Sequence, residues 1–152
     1  MATRNDVMRA VTERVENMVF PTPINSSGTW KTVSNKLRLW ADVPPDQQPC
    51  AFVVTHREMD EYRTLGAVRR RLELGIWCYS RADSVSGAED LDTMMEAFDT
   101  AFGAAAADNN STGQLTFNDL VYWCRIEGRV FKDPGDIDSQ TLLIVPLIIE
   151  MP

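Results

Sequence analysis

Chemistry in this chain would have to be built from few parts. His56 is the only histidine. A general base needs a partner to orient it, and the acids near His56, namely Glu58, Asp60 and Glu61, follow it in a polar stretch. A histidine in that position is expected to be exposed rather than catalytic. The three cysteines, Cys50, Cys78 and Cys124, are scattered, follow no CxxC pattern and are odd in number. With one histidine they make no zinc spacing, so they are expected to be small buried residues of a reducing compartment. No GxSxG elbow, GxxxxGK[ST] loop or GxGxxG turn occurs. The N-glycosylation sequons at Asn25 and Asn110 have meaning only in an exported chain. These absences point to a protein that is not an enzyme and carries no cofactor or metal.

Two other groups of residues suggest contact rather than catalysis. Arg69, Arg70 and Arg71 form the only basic run, with Trp77 and Tyr79 downstream. Aromatic residues beside arginines resemble a single-strand nucleic-acid platform. Arginine and tryptophan are also the usual anchors of protein interfaces. The net charge of −7 disfavours non-specific binding to nucleic acid or anionic membrane, so an interface is the preferred reading. The second group lies in LWADVPPDQQPCAFVVTH, residues 39–56. Pro44, Pro45 and Pro49 stiffen a loop with Trp40 at its start, because each proline fixes φ and removes a donor.

The elements that must position these groups follow from periodicity. Val7, Val11, Val15 and Met18 share a face of a helix over 5–19, ended by Pro21 and Pro23. Residues 30–40 read as a strand from the alternation of Leu37 and Leu39, and 50–56 as a second. Residues 57–66 are polar and expected to be an exposed loop. Over 68–80, Leu72, Leu74, Ile76 and Cys78 face the core, opposite Arg71, Glu73, Trp77 and Tyr79. Gly75 interrupts that second face and admits a close neighbour.

A second helix starts at a capping box, Ser86 with Glu89, and runs through Leu91, Met94, Phe98 and Phe102. Asp90, Asp92, Glu96 and Asp99 form its solvated acidic face. Residues 119–131 read as one long strand, with Trp123 and Arg125 opposite Cys124 and Ile126. Asp133-Pro134-Gly135-Asp136 signals a type II turn. The last strand, 140–150, is apolar on both faces, including Ile144 and Ile148. Its Pro146 argues for an edge position covered by a helix or another subunit.

The chain of 152 residues suits one domain, 1–152, with a sizeable core. The order of elements is satisfied by an α+β fold: a mostly antiparallel sheet of about five strands with two helices packed on one face. The longest apolar run, LLIVPLII at 142–149, is too short to span a bilayer. The charged N-terminal stretch is unlike a signal peptide, so folding in the cytoplasm is expected.

The whole chain resembles the tail terminator (tail-completion) proteins of long-tailed bacteriophages. The resemblance runs in order through an N-terminal helix, KLRLWADVPPDQQPCAFVVTH, RRRLELGIWCYS, LDTMMEAFDTAF, GQLTFNDLVYWCRIEGRV, a DPGD turn and a closing apolar strand. Its most distinctive pieces are W-x-x-x-P-x-x-x-x-P at Trp40, Pro44 and Pro49, and I-E-G at 126–128. It implies a structural virion subunit that closes into a ring, usually of six. The ring caps the tail tube protein, ends tail polymerisation and presents a surface to the head–tail connector. Phage DNA passes through its lumen without sequence-specific binding, and no membrane is involved. The candidate interface residues are then Trp40, Pro44, Pro45, Pro49, Arg69, Arg70, Arg71, Trp77, Tyr79, Trp123, Arg125, Ile144 and Ile148. Two rivals stand beside this reading: a neck head–tail joining protein, and a nucleic-acid-binding module built on Arg69–Arg71 with Trp77.

Overall fold

A computed structural model describes residues 2–62, 68–81, 87–135 and 139–152. In chain order the elements are α1 (Arg4–Glu16), β1 (Thr32–Ser34), β2 (Cys50–Tyr62), β3 (Val68–Arg81), α2 (Gly87–Phe102), β4 (Trp123–Ile126), β5 (Phe131–Asp133) and β6 (Gln140–Met151). The sheet has the order β1-β2-β3-β6-β4, with β5 also on β6. Among the described strands only the β1–β2 pair is parallel.

Both helices cover one face. Val7, Val11 and Val15 of α1 and Leu91, Met94, Phe98 and Phe102 of α2 share one core with alternate sheet residues. From β3 these are Leu72, Leu74, Ile76 and Cys78, all at most 2% exposed, as the alternation requires. From β6 they are Leu143, Val145, Leu147, Ile149 and Met151. Phe20 meets Trp30 edge-on at 4.8 Å, and Trp30 lies 6.1 Å from Phe98. Trp30 is therefore core, not a contact residue.

Capping occurs where the sequence reading did not place it. Thr3 and Asp6 form the capping box of α1: Asp6 N–H donates to Thr3 Oγ1 at 3.2 Å, and Thr3 N–H to Asp6 Oδ2 at 2.9 Å. The expected box at Ser86 lies outside the described residues, as does Asp136 of the expected turn.

Four expectations change. The strand foreseen over 30–40 is only Thr32–Ser34; Leu37 and Leu39 are exposed. Residues 57–62 are not loop but the outer half of β2, paired with β3 from Arg57↔Glu73 to Tyr62↔Val68 after a bulge between Thr55 and Arg57. The long strand over 119–131 is broken: Tyr122 is 51% exposed, and β4 and β5 are separated by residues 127–130. Most consequentially, β6 is not an edge. It pairs with β3 along one side and with β4 and β5 along the other.

Pro146 explains how an apolar, proline-containing strand sits there. Ile126 opposes Leu147 and Phe131 opposes Ile144, so five steps on one side face three on the other. The two extra residues bulge out at 127–130, where Gly128 takes φ +122°, a conformation that suits glycine. Pro146 lies opposite this gap. Its missing N–H costs no ladder bond there, and its carbonyl still accepts Glu127 N–H at 3.3 Å.

Candidate functional site

Among the described residues no helix covers the other face of the sheet. Alternation sends a defined set of side chains there: Arg69, Arg71, Glu73, Gly75, Trp77 and Tyr79 from β3, in register with Leu142, Ile144, Pro146, Ile148 and Glu150 from β6. Trp123 and Arg125 come from β4 opposite Glu150 and Ile148, and Phe131 from β5 opposite Ile144. Eight of the candidate residues, Arg69, Arg71, Trp77, Tyr79, Trp123, Arg125, Ile144 and Ile148, thus lie on one face of the sheet.

One end of this face is roofed by the proline loop. Val43, Cys50, Phe52 and Tyr79 form a second small core, with Trp40, Val54, Trp77 and Leu142 packed against it. Trp40 opens a 3₁₀ turn and Pro45 opens another. The Gln48–Pro49 bond is cis. Pro49 is buried, whereas Pro44 and Pro45 remain exposed. Tyr79 is 3% exposed, so it is a foundation of the loop rather than a contact surface. Its hydroxyl donates to the Arg38 carbonyl at 3.0 Å. The Gln48 amide donates to the Val43 carbonyl at 3.1 Å, which ties the loop to itself.

The other end is open. An open groove of about 400 Å³ runs between His56, Arg57, Arg71, Glu73, Arg129, Pro146 and Ile148. Arg57 donates to Glu73 at 2.7 Å, and Arg125 to Glu127 at 2.9 Å. Trp123 lies under two guanidiniums, Arg125 at 4.1 Å and Arg71 at 5.8 Å from its ring centre. Arg69 stacks on Tyr122 at 6.0 Å and pairs with the buried Glu150 at 3.3 Å.

The arginine run does not act as one patch. Arg70 alternates to the helix side and pairs with Asp60 at 2.9 Å and Glu58 at 3.1 Å. Arg4 donates to the same Glu58 at 2.8 Å. These hydrogen bonds hold Glu58 and Asp60 below the usual carboxylate range. No sequence pattern along residues 57–62 displayed that network, because its charges pair across strands and with α1.

His56 lies over Gly75: a Cβ at Gly75 would fall 2.3 Å from His56 Cε1. The close neighbour expected at Gly75 is this ring. His56 Nε2 accepts from Trp77 Nε1–H at 3.3 Å, so the histidine braces the tryptophan instead of facing a carboxylate. The cysteines are free and buried. Desolvation pushes Cys50 and Cys124 up to about 12 and Cys78 well above its ordinary value, which removes thiolate chemistry at neutral pH.

A larger hollow, about 690 Å³, lies between residues 22–26 and α2. Asp90, expected on the solvated face of α2, is instead 8% exposed there and accepts from Ser80 Oγ at 3.3 Å. Among the described residues no group of His, Cys, Asp and Glu could hold a metal ion, and no helix is long and apolar enough to cross a membrane. What the arrangement can do is bind: an apolar floor, aromatic and guanidinium walls, and a stiff roof at one end. No protein-family model matches the chain, and no curated protein matches it.

Proposed function

We propose that this protein is a structural subunit of a long-tailed bacteriophage, a tail terminator that assembles as a ring on the head-proximal end of the tail tube. It ends tube polymerisation and presents a surface to the head–tail connector. The observation that carries the reading is the sheet face opposite the helices. It is apolar through Ile144, Pro146 and Ile148, edged by Arg71, Trp123 and Arg125, and without a helical cover among the described residues. Such a face suits permanent docking to protein neighbours. The resemblance along the whole chain supplies the kind of neighbour. The nucleic-acid rival loses support because Arg70 is held by two carboxylates and Arg69 by a third. The test is to add purified protein to polymerising tail tubes and image them by electron microscopy. A ring at one tube end with arrested growth is expected. Binding to isolated connectors but not to tubes would replace this reading with the neck joining protein.

A further inference from the structure

Two surfaces of opposite charge lie on opposite sides of the sheet. The groove on the uncovered sheet face carries Arg57, Arg71 and Arg129 against Glu73 and Glu127, a local excess of cations on a chain of net charge −7. Arg71 and Arg129 make no ion pair among the described residues. Behind the same strands, α2 carries Glu89, Asp90, Asp92, Glu96 and Asp99 and no basic residue. Lys132 stands 3.6 Å from Asp92, and Arg81 lines the same hollow as Glu89 and Asp90; Glu96 and Asp99 lie further along the exposed face. Because α2 packs on β4, β5 and β6 from the helix side, the acidic helix and the cationic groove lie back to back across one sheet.

We propose that the groove at Arg71, Arg129, Pro146 and Ile148 receives the acidic face of α2 from a second copy of this chain. This rests on, and deepens, the ring reading above. Groups on opposite sides of one domain cannot meet within it. A two-fold dimer cannot engage both sides in one contact either, so each copy offers a free acceptor and a free donor. The contact is head-to-tail, and it propagates until it closes into a ring or runs on as a filament. A uniformly anionic nucleic-acid backbone fits the groove less well. The groove's apolar floor, Pro146 and Ile148, has no use for phosphates.

The test is charge reversal read by light scattering after size exclusion, over a range of protein and salt concentration. Arg129→Glu reverses the groove and Glu96→Lys reverses the helix; both side chains are exposed, so unchanged melting curves will show that the fold is intact. Each single variant is expected to need at least ten-fold more protein to associate than wild type. An equimolar mixture of the two should recover association, because each then offers the charge the other lacks. Wild-type association should weaken with salt. Association that is unaffected by either variant would overturn this surface while leaving the ring itself standing. A wild type that stays at 17.1 kDa throughout would overturn self-docking, with tube capping judged separately on tail ends. A salt-dependent shift with DNA in place of self-association would overturn it in favour of a nucleic-acid groove.

Discussion

Replacing Trp40 separates two roles that the sequence could not distinguish. The indole packs on the Val43–Phe52–Tyr79 core, yet its Nε1–H is buried without a hydrogen-bond partner among the described residues. Trp40→Ala removes the packing. Full truncation of a buried aromatic costs about 3–5 kcal/mol, and this half-buried ring should cost about 2. Trp40→Phe keeps most of the packing. The smaller ring gives up about 40 Å² of apolar contact, or about 1 kcal/mol at 25 cal/mol per Å². It also removes the orphaned donor, whose burial costs about 1–3 kcal/mol. The net effect of Trp40→Phe is therefore between none and about 2 kcal/mol of stabilisation. Urea unfolding followed by far-ultraviolet circular dichroism reads both through the midpoint, with the slope unchanged. An unchanged midpoint for Trp40→Ala would refute the claim that Trp40 roofs the second core and return it to the partner surface. Equal destabilisation by Phe and Ala would refute the argument from the orphaned N–H.

Three further substitutions probe other joints. Desolvation raises the pKa of Asp90, and the Glu89 charge adds to this against the Ser80 hydrogen bond. A raised folded pKa contributes stability that is present at low pH and lost as pH rises through the folded value. Asp90→Asn should therefore flatten the stability curve above about pH 4 and equal or exceed wild type at pH 7, read by thermal melts across pH. Asp108 accepts from the amides of Thr116 and Asn118 at 2.6 and 2.8 Å and from the Thr116 hydroxyl at 2.8 Å. It anchors three successive left-handed residues, 117–119. Asp108→Ala should cost about 2 kcal/mol by leaving the two part-buried donors of Thr116 unpaired, with faster amide exchange confined to that turn. Gly128→Ala forces a side chain into φ +122° and to 3.3 Å from Pro146 Cγ; about 1–2 kcal/mol of destabilisation should appear in urea unfolding.

What was legible in the sequence tracks what one strand or helix reveals about itself. Alternation in 72–78 and the Val7–Val11–Val15 stripe correctly named the core because a single face is buried. The polar strand 57–62 was hidden, since its order comes from ion pairs to Arg4, Arg70 and Glu73, which no local pattern contains. Leu37 and Leu39 alternated without being buried. Pro146 looked like an edge marker because its tolerance depends on a bulge in another strand. The candidate surface was partly legible for the same reason. Trp77, Arg71, Trp123 and Arg125 were already on the correct faces of their strands. That β6 lies between those strands, bringing Ile144 and Ile148 beside them, and that Tyr79 is buried beneath the proline loop, are facts of pairing.

The most direct test of the central claim is electron microscopy of purified tail tubes grown with and without this protein, with tube length and end structure scored together. A ring at one end only is expected, with tubes that stop lengthening once it is present. Bare ends and undiminished growth at saturating protein would contradict the claim.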